Sequence, residues 1–578
     1  MRREPASAKR GTGKPAGPVR QRSPISCARW LGEFVVLPAL LALVIIRVRL
    51  VAWPYGFDIG DEGYFNVVAW KMLDGWALYK DLQSVYTPGL HLLQAAIFRL
   101  SEPNAYYGKA INICTMVPAG VMLYFILRPY IHPLLAFLGA CYLPAMANGY
   151  YPGHVPVFAA LLLIAWPGYD RSRPAQWCAG LLAGLGVLGK HEVGIAGTAG
   201  ILIATLVLQR EGKGWRSLRP ALPAAARVVA GAAIPVVAFL AYESARGRWS
   251  DIYYFLWVAP RRWSKVLARS RGWLALPTKG GGLPYLFHSA RVADFYSPLL
   301  FIPVGLAVLA WRAAKAKASR AELALLGPGI MSGLLMLLVL TARDVHHLHS
   351  CRLPGLAMEA FLFVWGLRWL ANRFRGLSQV HPLAWLGPAL VWSALLVIWV
   401  ARVPDYLIMF THNVAAGQPG LEPRQAQVLA TWQQPQVPHA GPIRLPAVER
   451  VMWEETLAYV RAHSRPGASV FAAPGAPALY FFTDRQPPTR FLLFYPGMVD
   501  QKHEREILRD LIRANIDLVV FNGKPEADFC GMSFAQQCPQ LYRWIMANFR
   551  WDRTIHTLEF YLPVGRADAQ SALAGSLP

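Results

Sequence analysis

The chain has 578 residues, 55% hydrophobic and only 16% charged, where soluble domains carry about 25% charged residues. Its apolar residues fall in blocks of about 15–24 separated by short basic breaks, which excludes one large soluble core and points to repeated membrane crossings. The net charge of +25 is spread over those breaks and lines no single face, so it fits membrane orientation and anionic lipid and argues against nucleic acid as a partner.

Residues 1–29 hold eight basic residues and one acid, with Pro, Gly and Ser between them. They read as a disordered cytoplasmic tail. The apolar run Phe34–Ile46 has no small-residue cleavage site after it, and apolar character continues to Trp53. It reads as a retained first span and not a signal peptide. Eleven spans are predicted: 31–53, 106–127, 133–148, 154–169, 175–190, 193–209, 221–245, 296–312, 322–341, 353–370 and 383–401. The basic breaks Arg171/Arg173, Arg210–Arg219, Arg312–Arg320 and Arg373/Arg375 then all share a side with the N-terminal tail, which makes that side cytoplasmic.

The predicted organisation is a transmembrane domain over 30–402, a Pro- and Gln-rich linker over 403–444, an α/β domain over 445–565 and a disordered tail over 566–578. Three regions lie on the outer side: a first loop (54–105), a second loop (246–295) and everything beyond the last span. In the C-terminal part, Val448–His463 and His503–Ala514 read as helices; Ala468–Ala472, Asp517–Asn522 and Phe560–Leu562 read as strands. No glycine-rich phosphate loop follows a strand, so no nucleotide is assigned. The seven cysteines show no CxxC or CxxH spacing. Cys530 and Cys538 are open to a disulfide in an oxidising compartment.

The first loop carries the densest chemistry. Asp58, Asp61 and Glu62 fall within five residues just past the first span, where carboxylates are costly to desolvate and so point to function. Downstream come Tyr64, a helix over Val67–Leu73, the turn Tyr86-Thr87-Pro88-Gly89 and an amphipathic interfacial helix over His91–Leu100. Two further clusters stand at predicted outer turns: Lys190-His191-Glu192-x-Gly194, and Arg343-Asp344-x-x-His347. The second loop holds nine basic residues against two acids, with Arg261, Arg262 and Lys265 together. An outer basic cluster opposes the positive-inside tendency and asks for a reason, for which a lipid-carrier phosphate is a candidate.

An Asp-Glu pair after the first span, an aromatic-rich loop and a Tyr-x-Pro-Gly turn resemble the GT-C superfamily of glycosyltransferases. The nearest likeness is to bacterial relatives of dolichyl-phosphate-mannose–protein mannosyltransferases, including the aminoarabinose and lipopolysaccharide-core galacturonic acid transferases. The resemblance implies an α-helical polytopic inner-membrane enzyme with an outer C-terminal α/β domain. It would transfer a sugar, with inversion, from a polyprenyl phosphate to an outer lipid, polysaccharide or protein. Asp61 matches the family's catalytic aspartate, with Glu62 and Asp58 beside it. Lys190, Arg261, Arg262, Lys265 and Arg343 are the candidates for donor phosphate; Tyr64, Tyr86, Glu192, Asp344 and His347 are those for substrate. Many relatives have Lys-Pro-Pro where this chain has Thr87-Pro88-Gly89, so either another cation meets the phosphate or the donor differs. No cofactor is required, and Asp58-x-x-Asp61 is not a DxD metal motif, so a divalent cation is not indicated.

Other readings stay open at this point. Asp61 and Glu62 also suit an interfacial turn or helix cap, and Asp58 suits either orienting the site or solvating the loop. Lys190 and Glu192 also suit a simple ion pair, and the basic cluster suits anionic lipid. His346, His347 and His349 have spacing that a metal would accept, though a helix-end cluster near the interface accounts for them better. A transporter of lipid-linked sugars, or a non-catalytic protein of envelope assembly, would share the span pattern but leave the acids of the first loop unexplained.

Overall fold

The computed structural model describes residues 27–146, 152–210, 215–270, 282–315, 317–342, 345–374, 393, 402, 407, 409–416 and 423–564. Among them six helices are long and apolar enough to cross a membrane: Cys27–Ala52, Ala105–Leu127, His191–Leu208, Ser217–Ala245, Tyr296–Ala314 and Arg320–Leu337. Each corresponds to one of the expected spans. The expected spans at 133–148 and 154–169 are shorter apolar helices, Pro133–Pro144 and His154–Ala165. Arg173–Gly189 has 17 residues, or about 26 Å at 1.5 Å per residue, and Val345–Phe374 covers the tenth. The eleventh, 383–401, lies outside the described residues.

Small residues let these helices approach backbone to backbone. A Cβ on Gly180 would stand 2.2 Å from Val228 O, one on Gly184 2.3 Å from Ala232 O, and one on Gly200 2.3 Å from Gly327 O. Where no hydrophobic effect separates helix from lipid, such close packing is what holds helices together. Within this bundle Arg352, Glu359 and Arg402 are all buried. Arg402 donates to Glu359 at 3.0 Å, and both guanidiniums lie 5.0 Å from the ring of Tyr142.

The C-terminal part forms a four-stranded sheet of order β1-β2-β4-β3. Its strands are β1 (Val470–Ala473), β2 (Leu518–Asn522), β3 (Phe549–Ile555) and β4 (Leu558–Pro563). β1 and β2 are parallel, and β4 runs antiparallel to both β2 and β3. Helices Ala447–His463, Gln501–Ala514 and Pro539–Asn548 accompany it. β1 and β2 are apolar almost throughout, as strands covered on both faces must be. β3 was not anticipated, because its middle, Arg550–Thr554, is exposed on every residue. Cys530 and Cys538 are both free thiols here.

One hydrophobic core joins this sheet to the first loop: Tyr64, Phe65, Val67 and Phe98 share it with Phe255, Phe481, Phe482, Phe494 and Val520. The stretch expected as a linker takes part. Residue 444 bridges Tyr55, Gln433 bridges Leu445, and Ala105 N–H donates to His439 O at 2.7 Å. The expected second loop is largely helical, with Trp249–Tyr253, a π turn over Tyr254–Val258, and Ala259–Ser270. The helix that contains the eighth span begins earlier than expected, at Gly282.

Candidate active site

Asp61 and Glu62 open the Asp61–Leu73 helix, placed in its first turn where the helix dipole favours acids. The preceding turn is closed by Asp58. Its Oδ1 accepts from Gly60 N–H and Asp61 N–H, both at 2.7 Å, satisfying donors that a helix start leaves open. Glu62 reaches back, and its Oε2 accepts from Asp58 N–H at 3.0 Å. The two flanking acids therefore hold the turn reciprocally, in the manner of a capping box. Lys109 braces the same turn by donating to Tyr55 O at 2.8 Å and to Gly56 O. Burial raises the Glu62 carboxyl above the usual range, with the positive charge of Lys109 opposing it. Asp61 is left exposed, with Tyr495 Oη 3.4 Å from its Oδ1.

Tyr495 belongs to the segment between β1 and β2, and nothing in the sequence spacing pointed to it. Its ring stacks on Trp263 at 5.2 Å and on Phe529 at 5.7 Å. Burial raises its hydroxyl pKa, and the charges of Asp61 and Asp58 add to the rise. The first loop sets its position. Gln83 N–H donates to Arg490 O, and Gln83 Oε1 accepts from Leu492 and Leu493 N–H, both at 3.1 Å.

The first loop and the sheet region pack tightly at Gly63. A Cβ there would lie 2.7 Å from Ala478 N and 2.9 Å from Ala478 Cα. Gly63→Val therefore forces the two apart. We expect a loss of about 1–3 kcal/mol, read as a lower midpoint in thermal unfolding of the purified protein, together with lower activity because Tyr495 leaves Asp61.

The remaining sequence candidates divide. Tyr86 is partly exposed; burial raises its pKa well above the ordinary value, and the charges of Asp61 and Glu192 raise it further. The first loop also meets the Lys190-His191-Glu192 turn. That turn is pressed against Pro88-Gly89: a Cβ on Gly89 would stand 2.6 Å from Leu188 O. Lys190 Nζ lies 3.3 Å from Glu192 Oε1 and His191 Nδ1 3.4 Å from Glu192 Oε2, so the expected ion pair is present. Tyr64 is a correction. It is 1% exposed, its hydroxyl donates to Gln83 O at 2.7 Å, and it packs behind Tyr86 without reaching solvent. Arg262 is paired with Asp500 at 3.1 Å, Arg261 lies over Trp257 at 5.1 Å, and Lys265 is exposed on the same helix. Arg343 and Asp344 fall outside the described residues, as does the side chain of His347. Thr87 is buried, so no cation stands at that position.

Behind Tyr86, Ser84 Oγ lies 2.8 Å from His91 Nε2 and also donates to Tyr86 O. Burial pushes His91 down to about 3 from an ordinary 6.5. The folded state then holds this ring neutral while the unfolded chain takes up a proton below pH 6.5. Stability from this group is complete above that pH and falls as pH drops towards 3. Between pH 6.5 and 5 the loss is about 2 kcal/mol. Thermal midpoints at the two pH values should differ more for the native protein than for His91→Gln; equal differences would contradict this.

An apolar cavity of about 340 Å³ adjoins these residues, lined among others by Pro88, Gly89, Leu92, Val155, Leu188 and Gly189.

No protein-family model matches the chain, and no curated protein matches it. Among solved structures it is similar to ArnT from Cupriavidus metallidurans bound to undecaprenyl phosphate, at 13% identity and TM-score 0.48 over 93% of this chain and 99% of that one. It is also similar to the archaeal oligosaccharyltransferase AglB from Archaeoglobus fulgidus, in complex with an inhibitory peptide and a dolichol-phosphate. There the identity is 14% and the TM-score 0.46, over 93% of this chain and 75% of the other. Neither of these two reaches a TM-score of 0.5, so the chemistry is read from the site's own residues.

Proposed function

We propose that the protein is an integral-membrane glycosyltransferase of the GT-C kind. It moves a sugar, with inversion, from a polyprenyl-phosphate donor to an acceptor hydroxyl on the outer face of a bacterial inner membrane. The observation that carries this reading is Asp61. It is an exposed carboxylate held at a helix start by two neighbouring acids that spend their own oxygens on the turn. Tyr495 lies beside it, and Tyr86 feels the charges of both Asp61 and Glu192.

In the reaction, the acceptor oxygen attacks the anomeric carbon and its proton passes to an Asp61 oxygen. The bond from that carbon to the phosphate oxygen breaks, and its electron pair leaves with the polyprenyl phosphate. Phosphate is a good leaving group, so one base suffices and no partner acid is needed, unlike glycoside hydrolysis. Lys190, with Arg262 and Lys265 on the helix that carries Trp263, supplies positive charge for the departing phosphate. The apolar cavity beside Pro88 and Gly189 suits part of the hydrocarbon chain. Outer lipids, polysaccharides or proteins are the acceptor classes.

Purified protein incubated with a polyprenyl-phosphate sugar and an envelope extract tests this. Release of free polyprenyl phosphate with a glycosylated acceptor is expected; movement of intact donor across a vesicle membrane without release would instead identify a transporter. Tyr495→Phe removes a donor from the Asp61 carboxylate. We expect turnover to fall about 2–10-fold and the acid limb of the pH–rate profile to move to higher pH, because the ionised base loses support.

A further inference from the structure

The Ser217–Ala245 helix leaves Leu222, Val229, Ile234 and Val237 49–58% exposed, as a lipid-facing surface would. The chain then turns at Gly247, where φ is +73°, and continues through the helical segments from Trp249 to Ser270. Aromatic side chains are exposed on both sides of the turn: Tyr242 before it, and Trp249, Tyr253 and Trp257 after it, each 53–54% exposed. Residues 249, 253, 257 and 261 recur every four positions and so share one side. The guanidiniums of Arg246 and Arg261 lie over Tyr242 and Trp257 at 4.3 and 5.1 Å. The opposite side, with Ile252, Tyr254, Phe255 and Ala259, is buried in the core shared with the sheet region.

A helix facing only water has no reason to leave three large rings half bare in a row. Tryptophan and tyrosine with arginine, continuing the lipid-facing side of a span, is the composition that the water–lipid boundary favours. We propose that the surface from Tyr242 to Arg261 lies in the headgroup layer of the membrane and binds anionic phospholipid headgroups through Arg246 and Arg261. Arg261 then serves the membrane, and the donor phosphate falls to its neighbours. The same helix carries Trp263, which touches Tyr495 beside Asp61. Its seating therefore sets the height of Asp61 above the membrane; that consequence alone rests on the function proposed above.

The test needs no activity, so its failure and failure of the glycosyltransferase reading are distinguishable. The full chain, with Cys27, Cys114, Cys178 and Cys530 replaced by Ser, carries a nitroxide on Tyr253→Cys. It is placed in nanodiscs of phosphatidylethanolamine with phosphatidylglycerol. Power-saturation EPR compares its access to oxygen and to a nickel chelate with labels at Leu43→Cys, on the first span, and Val448→Cys, on the sheet-region helix; these positions are 62% and 63% exposed. We expect nickel access at 253 about threefold or more below that at 448, with oxygen access retained, as for a side chain in the headgroup and upper acyl layer. Replacing phosphatidylglycerol by phosphatidylcholine, or introducing Arg246→Gln with Arg261→Gln, should raise nickel access. Nickel access equal to that at 448 overturns the proposal. So does protection from both reagents, which would mean a protein partner, and so does a depth indifferent to lipid charge.

Discussion

Asp61→Asn is expected to lower the turnover of sugar transfer about a thousandfold, within the range that a positioned general base contributes, while donor binding stays nearly unchanged. The amide has the same shape and still accepts from Tyr495, but it cannot take the acceptor's proton. The fold should tolerate the change, because Asp61 is exposed and the lost charge at the helix start is worth about 0.3–1 kcal/mol. Asp58→Ala is the informative contrast. That residue accepts from two backbone N–H groups, so its loss costs about 0.5–2 kcal/mol of stability and reaches activity only through the turn. Single-turnover rates beside thermal midpoints separate the two variants. A D61N protein with native turnover would remove the proposed base.

The second large effect is on the fold. Glu359 and Arg402 have side chains 2% and 1% exposed and pair at 3.0 Å, with Arg352 near the same Tyr142 ring. A charge so deep is tolerable because an opposite charge faces it. Glu359→Leu takes away a buried carboxylate that accepts from Arg402. We expect a loss of about 3–5 kcal/mol, seen as poor recovery of folded protein and a much lower thermal midpoint in detergent. Arg402→Met with Glu359→Leu removes both charges and should restore most of that loss. A single variant as stable as the native chain would mean that the pair carries little of the fold.

The spans were legible because a lipid-facing helix has to be apolar over its whole length, and six segments meet that demand. The acids of the first loop stood out because three carboxylates lie within five residues beside a span, yet two of them hold the turn. Their division of labour was not legible. Spacing does not distinguish an aspartate that caps a turn, Asp58, from an exposed one three positions on, Asp61. Tyr64 looked like a sugar-flanking aromatic, yet its hydroxyl is spent on Gln83 O. Tyr495 was out of reach of spacing arguments because 434 positions separate it from Asp61; contacts of Gln83 and Gly63 bring it there. The end of the Pro- and Gln-rich stretch read as a linker by composition, whereas its backbone pairs with Tyr55 and Leu445. Composition reports side chains and is blind to such backbone pairing.

The central claim is that the loop bearing Asp61 faces outward, where a lipid-borne sugar and its acceptor meet. Lys80 is exposed in that loop, and Lys80→Cys leaves Asp61 in place. Intact cells treated with a membrane-impermeant maleimide, with the modified peptide located by mass spectrometry, give the answer directly. The account predicts modification at position 80 without permeabilisation. Modification only after the cells are opened would put the carboxylate on the cytoplasmic side and contradict it.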